Sequence, residues 1–476
     1  MHYLVYFFSA VVFSFFIGLS APDDGLRHIV FAANSDIMKS WGNVYPFSLF
    51  GEYDPWFMWH EFLSIVLKVV SIDKLPIVVN LISLFVLMCL IHEFIIRNSK
   101  YNFASLIYII VFIITLLTSY RYLMIRPDLL SGLYIMTALL LANKFRYIFI
   151  LTVFYIPFYY LFFLYVGSVG LVYLIQKKLR AFLGVFIASI LGLIFHLTYD
   201  FEGYISTVIN ILTDQKLRMG LAVSEGLPIF DFLNGVNYYL LVVIFLIASF
   251  FIIKYKYKYF KKNSIALFLL ITSVLWLNQA RYYHLFLPLI FVFIFVQITN
   301  MNKKRFFYLI RKYFILITRY FNFSKNKKLF YFIAIPYSIF MLAYMFSWHS
   351  LDKSITNGEY FTKKEFINKT ILSNKMDPDM FKAHYYNPTL KLIPSCSIGW
   401  FENKNPKMKE LYVKLQDSNK TFTEEELKEL IDYTNSDFYI HYIRNRKQKL
   451  SFDKLISLGI IPIEINQKKI LFKVKK

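Results

Sequence analysis

The chain has 476 residues, 57% hydrophobic, 20% aromatic and only 17% charged, with a formal net charge of +23. Soluble domains carry about 25% charged residues and could not cover this much apolar surface, whereas a chain solvated by lipid has no need to. The positive charge does not indicate nucleic acid: Lys and Arg fall in connectors between apolar runs, zinc-ligand spacing is absent, and no basic helix is long enough to lie in a groove.

The first apolar run, 3–20, is about the length that spans a bilayer. Its end, "GLSA", offers small residues suited to signal-peptide cleavage, but no positive n-region precedes it, so the run reads as a retained helix. Pro22 and Gly25 then frame two adjacent acids, Asp23 and Asp24. Repulsion between carboxylates at a low-dielectric boundary favours a proton on one of them. Such a pair can take a proton from a hydroxyl or hold a divalent metal, or it can simply stop a helix in solvent. Arg27 and His28 follow, and the loop 21–74 is long for a connector. Within it, "DPWFMWHEFLSIVLKVV" (54–70) places Asp54, His60 and Glu61 among aromatic residues. The pattern predicts an amphipathic helix in the membrane interface, with Trp56 and Trp59 at headgroup level.

Further spans are expected near 76–96, 101–118, 127–142, 181–197, 237–253, 264–278, 282–299 and 329–347. The run 147–176 is basic at both ends, so both ends belong on one side. It reads as a hairpin turning between Pro157 and Gly167, with arms too short for a simple crossing. The connectors 97–100, 143–146, 177–180, 254–262 and 302–328 carry Lys and Arg and no Asp or Glu, which puts them in the cytoplasm. The total is about eleven crossings, N-terminus inside and C-terminus outside. Helix is also expected around 203–218, and an in-plane basic helix at 303–320.

From residue 348 the chain turns polar. "TEEELKELIDYTN" (423–435) predicts a helix with Thr423 and Glu426 in a capping box. "DFYIHYI" and "KKILFKV" predict strands, and "SFDKLISLG" a helix ending at Gly459. The fold class is therefore a polytopic α-helical membrane protein, residues 1–347, with a small extracytoplasmic α/β domain, residues 348–476. Cys89 and Cys396 lie in unlike surroundings, and no disulfide is expected.

Other charges gather at outer span ends: Arg121, Arg126 and Asp128 in "YRYLMIRPDLLSG", and Arg281, Tyr282 and His284 in "NQARYYHLFLPL". Charges beside hydrocarbon usually have partners, and the planar fork of Arg suits phosphate oxygens; singly, each Arg could also be snorkelling. His28, His60 and His284 lack zinc-ligand spacing and read as interfacial or hydrogen-bonding histidines.

One helix, an outer loop opening on an acidic pair, then many spans and an outer α/β domain: this layout resembles the GT-C glycosyltransferases, membrane enzymes of the cell envelope that use polyprenyl-phosphate-linked sugars, such as protein mannosyltransferases and the aminoarabinose transferases of lipid A. The resemblance implies Asp23 as base, Asp24 as its neighbour, and Arg126 and Arg281 on the donor phosphate. Arg27, His28, Asp54, His60, Glu61, Arg121, Asp128, Tyr282 and His284 would be substrate-binding candidates. It implies a polyprenyl-phosphate-linked sugar donor, membrane lipid around the spans, an acceptor that is a glycan, lipid or protein, and inverting transfer at the outer face of the cytoplasmic membrane. No cofactor is required, though Asp23 and Asp24 could bind a divalent metal. The Trp-Trp-Asp acceptor motif of the oligosaccharyltransferases is absent, which speaks against transfer of a preassembled glycan to Asn. The alternatives are a lipid-linked glycan polymerase or ligase, a flippase or transporter, and a sensor with an outer ligand-binding domain. Residues 237–300 contain no acid and the spans show no repeat, unlike many proton-coupled carriers.

Overall fold

The computed structural model of the chain describes residues 2–17, 23–38, 40–47, 53–98, 104–118, 122–123, 125–213, 263–272, 280–300, 339, 359–374, 383–393, 401, 405–416, 421–443, 450–465 and 469–476. In chain order the helices are α1 (His2–Ile17), α2 (Asp23–Ala33), α3 (Ser35–Met38), α4 (Trp41–Val44), α5 (Phe57–Leu67), α6 (Leu75–Asn98), α7 (Ala104–Thr118), α8 (Asp128–Leu140), α9 (Phe145–Tyr155), α10 (Phe162–Ile175), α11 (Leu179–Tyr199), α12 (Phe201–Thr213), α13 (Ser264–Ile271), α14 (Ala280–Asn300), α15 (Pro406–Gln416), α16 (Glu424–Thr434) and α17 (Phe452–Ser457). The strands are β1 (Thr370–Ser373), β2 (Lys391–Ile393), β3 (Phe438–Tyr442), β4 (Ile460–Ile465) and β5 (Lys469–Val474). The chain divides into two compact units. One comprises Met1–Ala21, Val69–Ile194 and Pro228–Lys353, the other Pro22–Lys68, Phe195–Leu227 and Ser354–Lys476.

The first unit is helical, and α6 lies at its centre, packed against α1, α7, α8 and α14. Among the described residues, Leu75–Asn98 and Leu179–Tyr199 are long and apolar enough to cross a membrane. The expected spans at 237–253 and 329–347, and the in-plane helix at 303–320, lie essentially outside the described residues. On α11, Leu183, Phe186, Ile187, Ile190, Leu191 and Ile194 are exposed at helical spacing, a stripe that suits lipid as solvent. Its other face is built from small buried residues, Ala181 and Ala188 among them. At Gly192 a methyl group would come within 2.3 Å of the Ile156 side chain, so the helix approaches its neighbour where only glycine fits.

The predicted hairpin is present. Helix α9 ends at Tyr155, a 3₁₀ turn holds Ile156–Phe158, and α10 starts at Phe162. Pro157 lacks the N–H that would continue the ladder. Polar side chains join the first arm, α9, to α8, through Ser131 to the Tyr155 hydroxyl at 2.7 Å and Tyr134 to Thr152 at 3.1 Å.

The second unit joins residues that follow α1 to the C-terminal residues. Its sheet runs in the order β2-β1-β3-β5-β4. The pairs β1·β2 and β1·β3 are parallel, and β5 pairs antiparallel with both β3 and β4. The core is apolar, with Leu372, Tyr439 and Phe472 from the strands and Tyr412, Leu427, Leu430 and Leu455 from the helices. The capping box at Thr423 and Glu426 is formed as expected, and Gly459 takes a positive φ of 78° where α17 stops. Part of the first loop packs on this domain: Phe47 stacks on Phe401 with ring centroids 5.7 Å apart and lies 5.4 Å from the Tyr433 ring. Phe47 has φ +64°, a conformation costly for a bulky side chain and held here by that aromatic packing.

Candidate active site

Asp23 and Asp24 are the first two residues of α2, directly after the segment that leaves α1. Pro22 precedes them, at a place where a missing N–H costs a helix little. One turn further on, Arg27 and His28 are buried, 5% and 1% exposed. The Arg27 guanidinium carbon lies 5.8 Å from the centre of the Trp56 ring, within range of a cation–π contact.

The segment before α5 supplies the next group. Asp54 is buried and forms an Asx turn, one carboxylate oxygen accepting the Trp56 N–H at 2.9 Å. Pro55 fixes the backbone between them. The second carboxylate oxygen meets His60 Nδ1 at 2.6 Å. The opposite nitrogen of the same ring, Nε2, meets His28 Nδ1 at 2.8 Å. Thus Asp54, His60 and His28 form one buried chain across α5 and α2. Phe31 flanks the His60 ring at 4.5 Å and Trp56 meets His28 edge-on at 5.1 Å. Burial, and next the adjoining His60 ring and Arg27, push His28 well below the usual imidazole range, so it rests neutral.

This linear arrangement differs from a metal centre. His60 uses its two nitrogens in opposite directions, so one ion could not bind all three side chains at these positions. Among the described residues no group of three or more His, Cys, Asp and Glu is placed to hold a metal.

Trp56 and Trp59, expected at headgroup level, have their rings packed inside the protein. Trp56 and Trp59 are 7% and 1% exposed. With His60 and Leu63 they form the buried face of α5, while Phe62 and Ile65, and Val69 just past the helix end, are the exposed apolar residues. A 3.6-residue period separates these sets on opposite sides of one helix. The sequence window is apolar on both sides, so composition alone does not say which side is buried.

Glu61 is exposed on α5, away from the buried chain. Arg126 is half-buried just before α8, and Asp128 is the first residue of that helix. The residue before Arg126, Ile125, is buried with φ +53°, strained for a β-branched side chain and maintained only where the surroundings over-determine it. Arg281, Tyr282 and His284 lie in the first turns of α14, and Arg121 falls outside the described residues. The structure thus brings together Arg27, His28, Asp54 and His60. Adjacency of the two histidines was not readable from a separation of 32 residues; the aromatic setting of each was the available signal.

The fold carrying these residues is one that solved oligosaccharyltransferase structures share. Among solved structures the chain is similar to the archaeal oligosaccharyltransferase AglB from Archaeoglobus fulgidus in complex with an inhibitory peptide and a dolichol-phosphate, with a TM-score of 0.56 and 11% identity over 93% of this chain and 69% of that one. It is also similar to the apo form of the Archaeoglobus fulgidus oligosaccharyltransferase, with a TM-score of 0.51 and 10% identity over the same shares. No family model matches the sequence, and no curated protein does.

Proposed function

We propose that the chain is a membrane glycosyltransferase that moves a sugar from a polyprenyl-phosphate-linked donor to an acceptor hydroxyl at the outer face of the cytoplasmic membrane. The observation that carries this reading is the acidic pair opening α2 directly after the first helix, in a chain whose fold matches AglB over 93% of its length. The AglB structure contains a dolichol-phosphate, a polyprenyl phosphate of the donor class proposed here.

In the proposed reaction Asp23 accepts the acceptor's hydroxyl proton. The oxygen attacks the anomeric carbon, the bond from that carbon to the phosphate oxygen breaks, and its electron pair leaves with the polyprenyl phosphate. The anomeric configuration inverts. Arg126 and Arg281 neutralise the departing phosphate, and Asp24 supports Asp23. Phosphate leaves readily, so no general acid is required. The topology proposed is about eleven crossings with a cytoplasmic N-terminus. Residues 1–347 form the membrane part and 348–476 the outer domain. Packing of Phe47 on Phe401 supports a common side for the first loop and that domain.

The test is Asp23→Asn in proteoliposomes supplied with a polyprenyl-phosphate-linked radiolabelled hexose. Loss of transfer from a folded, membrane-inserted variant is expected. Undiminished transfer would remove Asp23 as the base.

A further inference from the structure

The Asp54–His60–His28 chain has no part in the reaction as written above, yet three ionisable side chains buried in one hydrogen-bonded line are costly to maintain without a use. Hydrogen-bond chemistry allows one proton pattern along this line when Asp54 is ionised and both rings are neutral. An ionised Asp54 can only accept, so His60 donates from Nδ1. A neutral His60 then presents a lone pair at Nε2, and His28 must donate to it from Nδ1. The lone pair left over is on His28 Nε2, the far end of the line. In the Ser-His-Asp triad a buried carboxylate sets the tautomer of one imidazole; here the same device acts through two rings in series.

We propose that Asp54, His60 and His28 form a proton relay serving the first turn of α2, in which His28 Nε2 takes up the proton released there and the resulting positive charge moves to His60 beside the Asp54 carboxylate. The protons balance. One arrives at His28 Nε2, one crosses from His28 Nδ1 to His60 Nε2, and His60 keeps the Nδ1 proton that Asp54 accepts. Both rings then hold what they need to hand the proton back to water, with no net change. Asp24 and His28 are four residues apart on α2, so the relay ends one helical turn from the acidic pair. The idea rests on the reading of that pair as the reacting site.

The charged and titratable groups around the relay come from each element packed on it. Arg27 on α2 opposes protonation of His28, and Asp54 favours it through His60. Glu61 on α5 is exposed. His196 and Tyr53 adjoin each other at 3.4 Å beyond Phe57, and Asp200 lies in the same segment. His384 feels Arg27 as well. Asp54 is in direct contact with His60 at 2.6 Å.

Two measurements on the full-length chain test the relay. The first is ¹⁵N NMR of histidine-labelled protein in detergent micelles, with resonances assigned through His28→Gln and His60→Gln. At neutral pH both His60 and His28 are expected to carry the proton on Nδ1, and Asp54→Asn should change the His60 tautomer. A His60 that bears its proton on Nε2, or one indifferent to Asp54→Asn, overturns the proposal whether or not any sugar is transferred. The second is hydrolysis or transfer of a polyprenyl-phosphate-linked hexose over a pH series. Asp54→Asn should reduce turnover by roughly 100-fold with KM little changed, and should move the acid limb to lower pH because the carboxylate no longer favours the protonated relay. Asp54→Glu should restore part of the rate. A folded Asp54→Asn variant with wild-type rate and pH profile overturns the relay. Undiminished transfer by Asp23→Asn would instead overturn the functional reading and leave the NMR result to stand alone.

Discussion

In the second unit, the buried histidines of the first-loop segment and of the C-terminal sheet differ in what they end on. In the first-loop segment, His60 and His28 end on a carboxylate, Asp54. In the C-terminal domain, His441 Nδ1 meets the Tyr439 hydroxyl at 2.9 Å and the Asn374 amide at 3.2 Å. Asn374 also bonds both the N–H and the carbonyl of Tyr442, at 2.7 and 3.2 Å, extending the β1·β3 ladder by one residue. The second cluster has a hydroxyl and an amide and no carboxylate among its hydrogen-bond partners there. Burial pushes His441 down to about 4, so it is neutral and holds strands together. The partner therefore decides the role: a carboxylate can stabilise a moving proton, whereas an amide and a phenol can only fix a neutral ring.

Substitution separates the two. The largest difference is expected in turnover, where Asp54→Asn should cost roughly 100-fold with folding retained. Asn374→Ala should leave turnover per folded molecule unchanged and destabilise the C-terminal domain by about 2 kcal/mol, because two backbone groups of Tyr442 lose their partner. Chemical unfolding of the full chain, followed by aromatic fluorescence, measures that cost, and a fall in turnover per folded molecule would erase the contrast.

A smaller effect is expected in acid. His441 and His384 are both held near about 4 chiefly by burial, below the ordinary imidazole value of 6.5. A lowered folded-state value means that the stabilisation is complete above about 6.5 and is lost as pH falls from there towards 4. Each group contributes at most about 3 kcal/mol over that window. Melting temperature against pH should therefore fall on acidification, and less steeply in His441→Gln. Parallel curves for the two proteins would show that His441 titrates alike in the folded and unfolded chain. The smallest change serves as a calibration: Thr423→Ala removes the side-chain cap of α16 and should cost about 1 kcal/mol, with no effect on either histidine cluster.

Local chemistry was legible where one or two residues decide it. Thr423 and Glu426 mark a helix start, Gly459 a helix stop and Pro157 a break, and each is found where expected. The strand at Phe438–Tyr442 was readable from its run of aromatic and branched residues. By contrast, β1 and β2 are only four and three residues long, too short for a period to emerge, and they become strands by pairing with each other and, for β1, with β3. The site divides in the same way. The acidic pair stood out because two charges follow an apolar run, and α2 does begin there. The line from Asp54 to His28 did not stand out, because hydrogen bonding between residues 28 and 60 depends on how two helices pack.

From the sequence alone came the apolar runs, the basic connectors, the caps and the two aspartates after the first helix, because each follows from the local preference of a residue for an apolar setting, water or a helix end. Which side of α5 is buried, which loop packs on the C-terminal sheet and which histidine meets which carboxylate were decided only by the tertiary structure. Those outcomes depend on contacts between segments far apart in the chain, and no local preference encodes their meeting.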